Sequence, residues 1–217
     1  MHLLDAWLTL PPGDLLRLLL MPIAAALATF LPGRRIARWA AVLMAVGSLG
    51  SAEIGGSWLV RAGWAGLWAG LAWWVGREGA DSELHEPKRE RFEAWVLGFP
   101  LGIGVLLLLL AALSRQVLPD DASRSAQIGV SLLALGMLHL LTRRHIRRAV
   151  LAFAFIAFGI EALSAAVRAI DVLQEGSPSG AALAGAFVVF ALLIRLTHAR
   201  ESLARAPLVS DAHDLHD

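Results

Sequence analysis

The chain has 217 residues, 57% of them apolar and 17% charged, where a soluble domain averages roughly 45–50% apolar and 25% charged. This balance excludes a disordered chain, and the absence of cysteine excludes disulfides, thiolate metal sites and iron–sulfur ligation. A net charge of +1 carries little meaning here, because the charges fall in short clusters between apolar runs long enough to cross a bilayer, and their placement outweighs their sum.

A hydrocarbon core about 30 Å thick takes about 20 helical residues, and lipid-exposed backbone must satisfy its own hydrogen bonds. The expected fold is therefore an all-α polytopic membrane protein. Residues 1–14 lack a basic leader and are interrupted by Pro11-Pro12-Gly13, which reads as an interfacial segment and not as a cleaved signal peptide. Seven spans follow, at 15–31, 36–54, 58–76, 94–117, 126–141, 146–168 and 180–197. Pro32-Gly33 ends the first, Gly55-Gly56-Ser57 separates the second from the third, and Pro119-Asp120-Asp121 stops the fourth. Between the third and fourth, residues 77–93 alternate acids and bases as a solvated cytoplasmic loop. A second polar stretch, 198–217, forms the tail, and either could receive a peripheral cytoplasmic module.

Lysine and arginine accumulate on the cytoplasmic side. Of the 19, all but Arg17, Arg61, Arg115, Arg124 and Arg168 lie in the loops after spans one, three and five or in the C-terminal end. The N-terminus is thus expected outside and the C-terminus inside a bacterial-type inner (plasma) membrane.

Leu31-Pro-Gly-Arg-Arg-Ile-Ala-Arg38 and Leu141-Thr-Arg-Arg-His-Ile-Arg-Arg148 look alike. Each follows one span and precedes two, so residues 15–76 and 126–197 read as two copies of a three-helix unit in the same orientation, with 94–118 as connector. Attraction of arginine to any cytoplasmic hairpin explains the same pattern without duplication.

The second unit, through the tail to Leu215, resembles the K-type subunit of respiratory complex I, the C-type subunit of Mrp cation/proton antiporters, and component E of hydrogenase-4 type complexes. The shared element is a double arginine opening the middle helix, here Arg143-Arg144, with His145 where those families carry asparagine. The resemblance implies a membrane-arm subunit seated beside large antiporter-like subunits. It does not carry over catalytic residues: the positions of the K-type glutamates fall on Ala154 and near Gly185, and Glu161 lies beyond the carboxylate of component E.

Charges inside a bilayer cost several kcal/mol and call for a partner, a cavity or a function. Arg17, Glu53, Arg61, Glu161 and Arg168 qualify, all in the outer half. Glu161 lies deepest and is a candidate proton carrier, because burial raises a carboxyl pKa toward a useful range. The alternative makes these groups structural ion pairs: Glu53 with Arg17 or Arg61, and Glu161 with an arginine of the first unit. Arg168 shares a face with Glu161, but at seven residues' separation no direct contact is expected. The structural alternative has the better geometric case, because the inner half offers only His139 to a relay.

His139 is expected at the headgroup boundary. With His198 it meets the minimum for a b-type haem, although histidine is ordinary at that depth. His213 and His216 among Asp211, Asp214 and Asp217 suggest a weak metal cluster and more simply a solvated tail. Ala62, Gly66 and Gly70 repeat every four residues, and Arg61, Trp64 and Trp68 occupy another face; this reads as a docking seam for a neighbouring subunit with Trp packing into it, or as packing within the bundle with lipid-facing Trp. No phosphate-binding loop, dinucleotide fingerprint, catalytic triad or zinc spacing occurs, so no catalytic residue, cofactor or nucleic-acid partner is assigned. Three functions remain in view: a non-catalytic subunit of an ion-translocating assembly, a stand-alone transporter with its site between the two units, and a haem-bearing anchor.

Overall fold

The structure is a computed structural model that describes residues 12–31, 33–51, 56–76, 100, 104, 120–142, 146–170 and 180–204. These form six helices: α1 Pro12–Phe30, α2 Arg34–Gly50, α3 Trp58–Gly76, α4 Asp120–Thr142, α5 Ile146–Ile170 and α6 Ala181–Ala204. The expected fourth span, 94–117, falls outside the described residues except for Pro100 and Gly104.

The helix ends differ from expectation for local reasons. α1 starts at Pro12, in the first turn, where a missing N–H is no loss. α2 stops at Gly50, four residues short of the expected end. α4 starts at Asp120, six residues early. At its far end, α6 runs on to Ala204, taking the first turns of the expected tail into the helix.

Ala122–Leu141, Arg148–Ile170 and Ala181–Ala199 are long and apolar enough to cross a membrane, and Leu19–Phe30 is a shorter apolar stretch. The chain is a polytopic, largely helical membrane protein.

α4 and α5 form the closest pair. A Cβ at Gly129 would stand 2.9 Å from the Gly159 carbonyl oxygen, one at Gly159 the same distance from the Gly129 oxygen, and one at Gly136 would stand 3.0 Å from the Ala152 oxygen. The backbones touch, which is how helices gain dispersion energy in lipid, where no hydrophobic effect draws them together. Within the first unit α2 packs more extensively on α3 than on α1, whereas in the second the middle helix α5 packs more on α4 than on α6. The two units thus distribute their contacts in opposite senses.

Among the described residues the units meet chiefly in three places. α1 lies against α4, with Thr29 near the end of one helix beside Leu135 and His139 near the end of the other. Trp64 and Trp68 of α3 pack on Phe155 and Phe158 of α5. α3 touches α6 where a Cβ at Gly63 would strike Leu183 at 2.6 Å and one at Gly180, whose φ is +105°, would meet Val60 at 3.0 Å. α6 is otherwise the least covered helix among the described residues: Phe187, Val188, Leu192 and Leu196 are exposed, and of the residues whose burial is described only Ala186, Phe190 and Thr197 turn fully inward.

Candidate functional site

Two buried polar pairs sit inside the bundle. The first is on α5, where Glu161 is 1% exposed and its Oε1 accepts a hydrogen bond from Arg168 Nη2 at 3.2 Å. This corrects the expectation that the two would not meet. Seven residues rise about 10 Å, but helical side chains lean toward the N-terminus, so the long Arg168 side chain folds back over the carboxylate. The Arg168 side chain is 23% exposed and so remains partly accessible while it pairs with the buried carboxylate. Glu161 therefore takes an arginine from its own helix. Between them, Ser164 donates to the Ile160 carbonyl at 2.9 Å and joins neither.

The second pair joins the units. Thr29 Oγ1 donates to the Ala25 carbonyl at 2.7 Å and stands 3.3 Å from His139 Nδ1. A hydroxyl has one proton to give. With that proton on Ala25, the Nδ1 of a neutral His139 is the protonated nitrogen and donates to Thr29, leaving Nε2 as the basic nitrogen. His139 is fully buried, with Phe155 6.3 Å away between ring centroids. Its place is the protein interior.

Between these pairs runs an aromatic seam. Trp64 meets Phe158 edge-on at 4.9 Å, and Trp68 lies 5.3 Å from Phe155 and 6.4 Å from Phe158. Both tryptophans are completely buried. That reverses one reading of α3, in which the small residues faced inward and the tryptophans faced lipid. Gly66 and Gly70 of the small-residue seam are exposed instead: among the described residues a Cβ at either would meet nothing within 4 Å.

No family model matches this chain. No curated protein and no solved structure matches it either. Its function has to be argued from the residues themselves.

The remaining intramembrane candidates divide. Arg61 donates from Nη1 to the Leu49 carbonyl at 3.4 Å and lies over the Trp58 ring at 5.7 Å; a cation there complements the negative end of α2. The Arg17 side chain and Glu53 lie outside the described residues. For haem, the two histidines are placed differently: His139 is enclosed in the core and His198 is on an exposed face of α6. Among the described residues no group of three or more His, Asp or Glu side chains is arranged to hold a metal, and the tail from His213 to Asp217 lies outside them.

Sequence reasoning passed over Thr29, Phe155 and Phe158. A threonine in the last turn of an apolar helix carries no signal of its own; only the packing of α1 on α4 gives it a histidine.

Proposed function

We propose that this chain is a non-catalytic membrane-arm subunit of a complex I-like, hydrogenase-4-like or Mrp-like ion-translocating assembly in a bacterial-type inner membrane. It seats antiporter-like subunits against one another, and Glu161 and His139 line part of a proton path. The observation that carries this reading is the enclosure of both the Glu161 carboxylate and the His139 imidazole within the bundle, because ionisable groups inside a membrane protein are expensive and mark ion pathways and proton relays. The uncovered side of α6 and the open Gly66/Gly70 face supply surfaces on which neighbours could seat, and the double arginine before α5 supplies the resemblance.

The test is purification of the tagged protein from native membranes in mild detergent. Recovery with large antiporter-like subunits supports the proposal; a homogeneous lone protein or homodimer sinks it. Glu161→Gln separates the roles of the carboxylate. If it carries protons, assembly persists and coupled transport falls. If it only pairs Arg168, assembly fails while transport per assembled complex stays normal.

A further inference from the structure

The outward residues of α2 recur at steps that keep to one helix face: Arg35, Trp39, Val46 and Leu49 are exposed, Trp39 to 67%. On α3 the exposed stripe is Leu59, Gly66, Gly70 and Trp73, the last exposed to 61%. Large apolar side chains are ordinary on a surface that faces lipid. The arginines among them need a counterpart.

Contacts at both ends of the α2–α3 pair fix how the two stripes lie. Arg61 of early α3 reaches the Leu49 carbonyl of late α2. At the other end the exposed Arg38 side chain lies over Gly76, where an added Cβ would stand 3.1 Å from Cδ and 3.5 Å from Cζ. The helices are therefore antiparallel, and Trp39, next to Arg38, stands within a turn of the level of Trp73, which shortly precedes Gly76. The same contacts give the direction from each helix to the other. In both helices the exposed stripe lies roughly a quarter-turn from that direction in the same rotational sense, and for antiparallel helices equal senses open on the same side. Arg35, Arg38, Trp39 and Trp73 thus share one end and one side of the pair.

Among the described residues no hydrogen bond or ion pair engages either guanidinium. Each is a planar fork of donors whose geometry matches a phosphate, and the Arg38 stem is already seated on the backbone of α3. Tryptophans beside them belong at headgroup level, and Val46 and Leu49 continue the α2 stripe toward the bilayer interior as an apolar rail. Cation, interfacial ring and hydrocarbon contact follow one another in the order of a phospholipid's own parts.

We propose that this corner of the α2–α3 pair binds an anionic phospholipid. Arg35 and Arg38 hold the phosphate, Trp39 and Trp73 flank the glycerol level, and an acyl chain lies along α2, leaving the Gly66 and Gly70 face of α3 to other neighbours. Arginine placement predicts that this end is cytoplasmic, and the cytoplasmic leaflet carries the negative surface potential that basic clusters recognise.

Tryptophan quenching in reconstituted vesicles tests it, because bromine on a lipid chain quenches an indole only at close range. The purified chain is placed in phosphatidylcholine vesicles that contain equal fractions of either brominated phosphatidylglycerol or brominated phosphatidylcholine. The anionic lipid is expected to quench more, with about five-fold selectivity from each arginine. Arg35→Gln with Arg38→Gln should bring the two lipids level. Trp39→Phe with Trp73→Phe should remove the excess while the quenching common to both lipids persists at the remaining tryptophans. All four side chains are exposed, so both double variants should keep the circular dichroism of the unaltered chain. Equal quenching by the two lipids in the unaltered chain overturns the proposal without any variant, and is the result expected if an acidic protein segment covers the arginines instead. An excess that survives either double variant overturns it too. The measurement uses the isolated chain, so its outcome is independent of whether the proposed assembly is recovered.

Discussion

At the scale of single residues, the interior holds polar groups under two opposite conditions, and substitutions should separate them. Thr29 is engaged, donating to the Ala25 carbonyl at 2.7 Å with His139 Nδ1 3.3 Å from its hydroxyl. Ser131 is completely buried and its hydroxyl has no partner, although Thr29, Ser48, Ser51, Ser164 and Thr197 all bond back to a carbonyl four residues earlier. Removing a used hydroxyl should cost about 1 kcal/mol or more, and removing an unused one should return roughly the same. Thr29→Val is therefore expected to lower the midpoint of denaturant-induced unfolding in detergent, and Ser131→Ala to leave it unchanged or raise it; equal losses from both would contradict these environments. The buried ion pair gives a larger effect. Arg168→Leu leaves Glu161 enclosed without its cation and should destabilise by about 3–5 kcal/mol, whereas Glu161→Gln with Arg168→Leu should recover most of that loss, since breaking a buried pair costs more than replacing it. If the single and double variants unfold at the same denaturant concentration, Glu161 does not depend on Arg168.

At the scale of elements, glycine marks where helices touch and where they do not. Gly129 and Gly159 put backbone against backbone, so Gly159→Val forces α5 away from α4 and should reduce the folded yield sharply. Gly66→Val and Gly70→Val add bulk where nothing stands within 4 Å; the isolated chain should fold normally by circular dichroism, while any subunit seated on that face should be lost on co-purification. Retention of every partner by both variants would remove this face from the assembly. The contrast also shows what the chain's own residues reveal. Helix existence follows from apolar length and from breakers such as Pro32-Gly33. The four-residue spacing of Ala62, Gly66 and Gly70 identifies a close-approach surface without saying toward what, and Gly129, Gly136 and Gly159, which carry the tightest contact, repeat at seven and stand alone. In the same way the reach of Arg168 to Glu161 depends on side-chain lean, which spacing alone does not convey. The burial of Trp64 and Trp68 depends on where α5 lies, a long-range fact absent from α3.

At the scale of the molecule, the ends of the helices set the number of crossings. Thr29 at the end of α1 meets Leu135 and His139 at the end of α4, so these two helices run the same way. α2 returns and α3 repeats the direction of α1, with Arg38 of early α2 beside Gly76 at the end of α3. The chain therefore leaves α3 at one end of the bundle and enters α4 at the other. Arginine placement predicts that the first of these ends is cytoplasmic: Arg34, Arg35 and Arg38 flank the end of α1, and Arg147 and Arg148 follow the end of α4, the pattern of cytoplasmic loops. Reporter fusions should consequently read cytoplasmic at Lys88 and external at Asp121. If both positions report the same side, either the N-outside orientation or the parallel placement of α1 and α4 is wrong. In the second case the contact between Thr29 and His139 falls, and with it the inner end of the proposed proton path. If the two positions report opposite sides with Lys88 outside, the bundle stands and inverts, and Glu161 then faces the cytoplasmic half of the membrane.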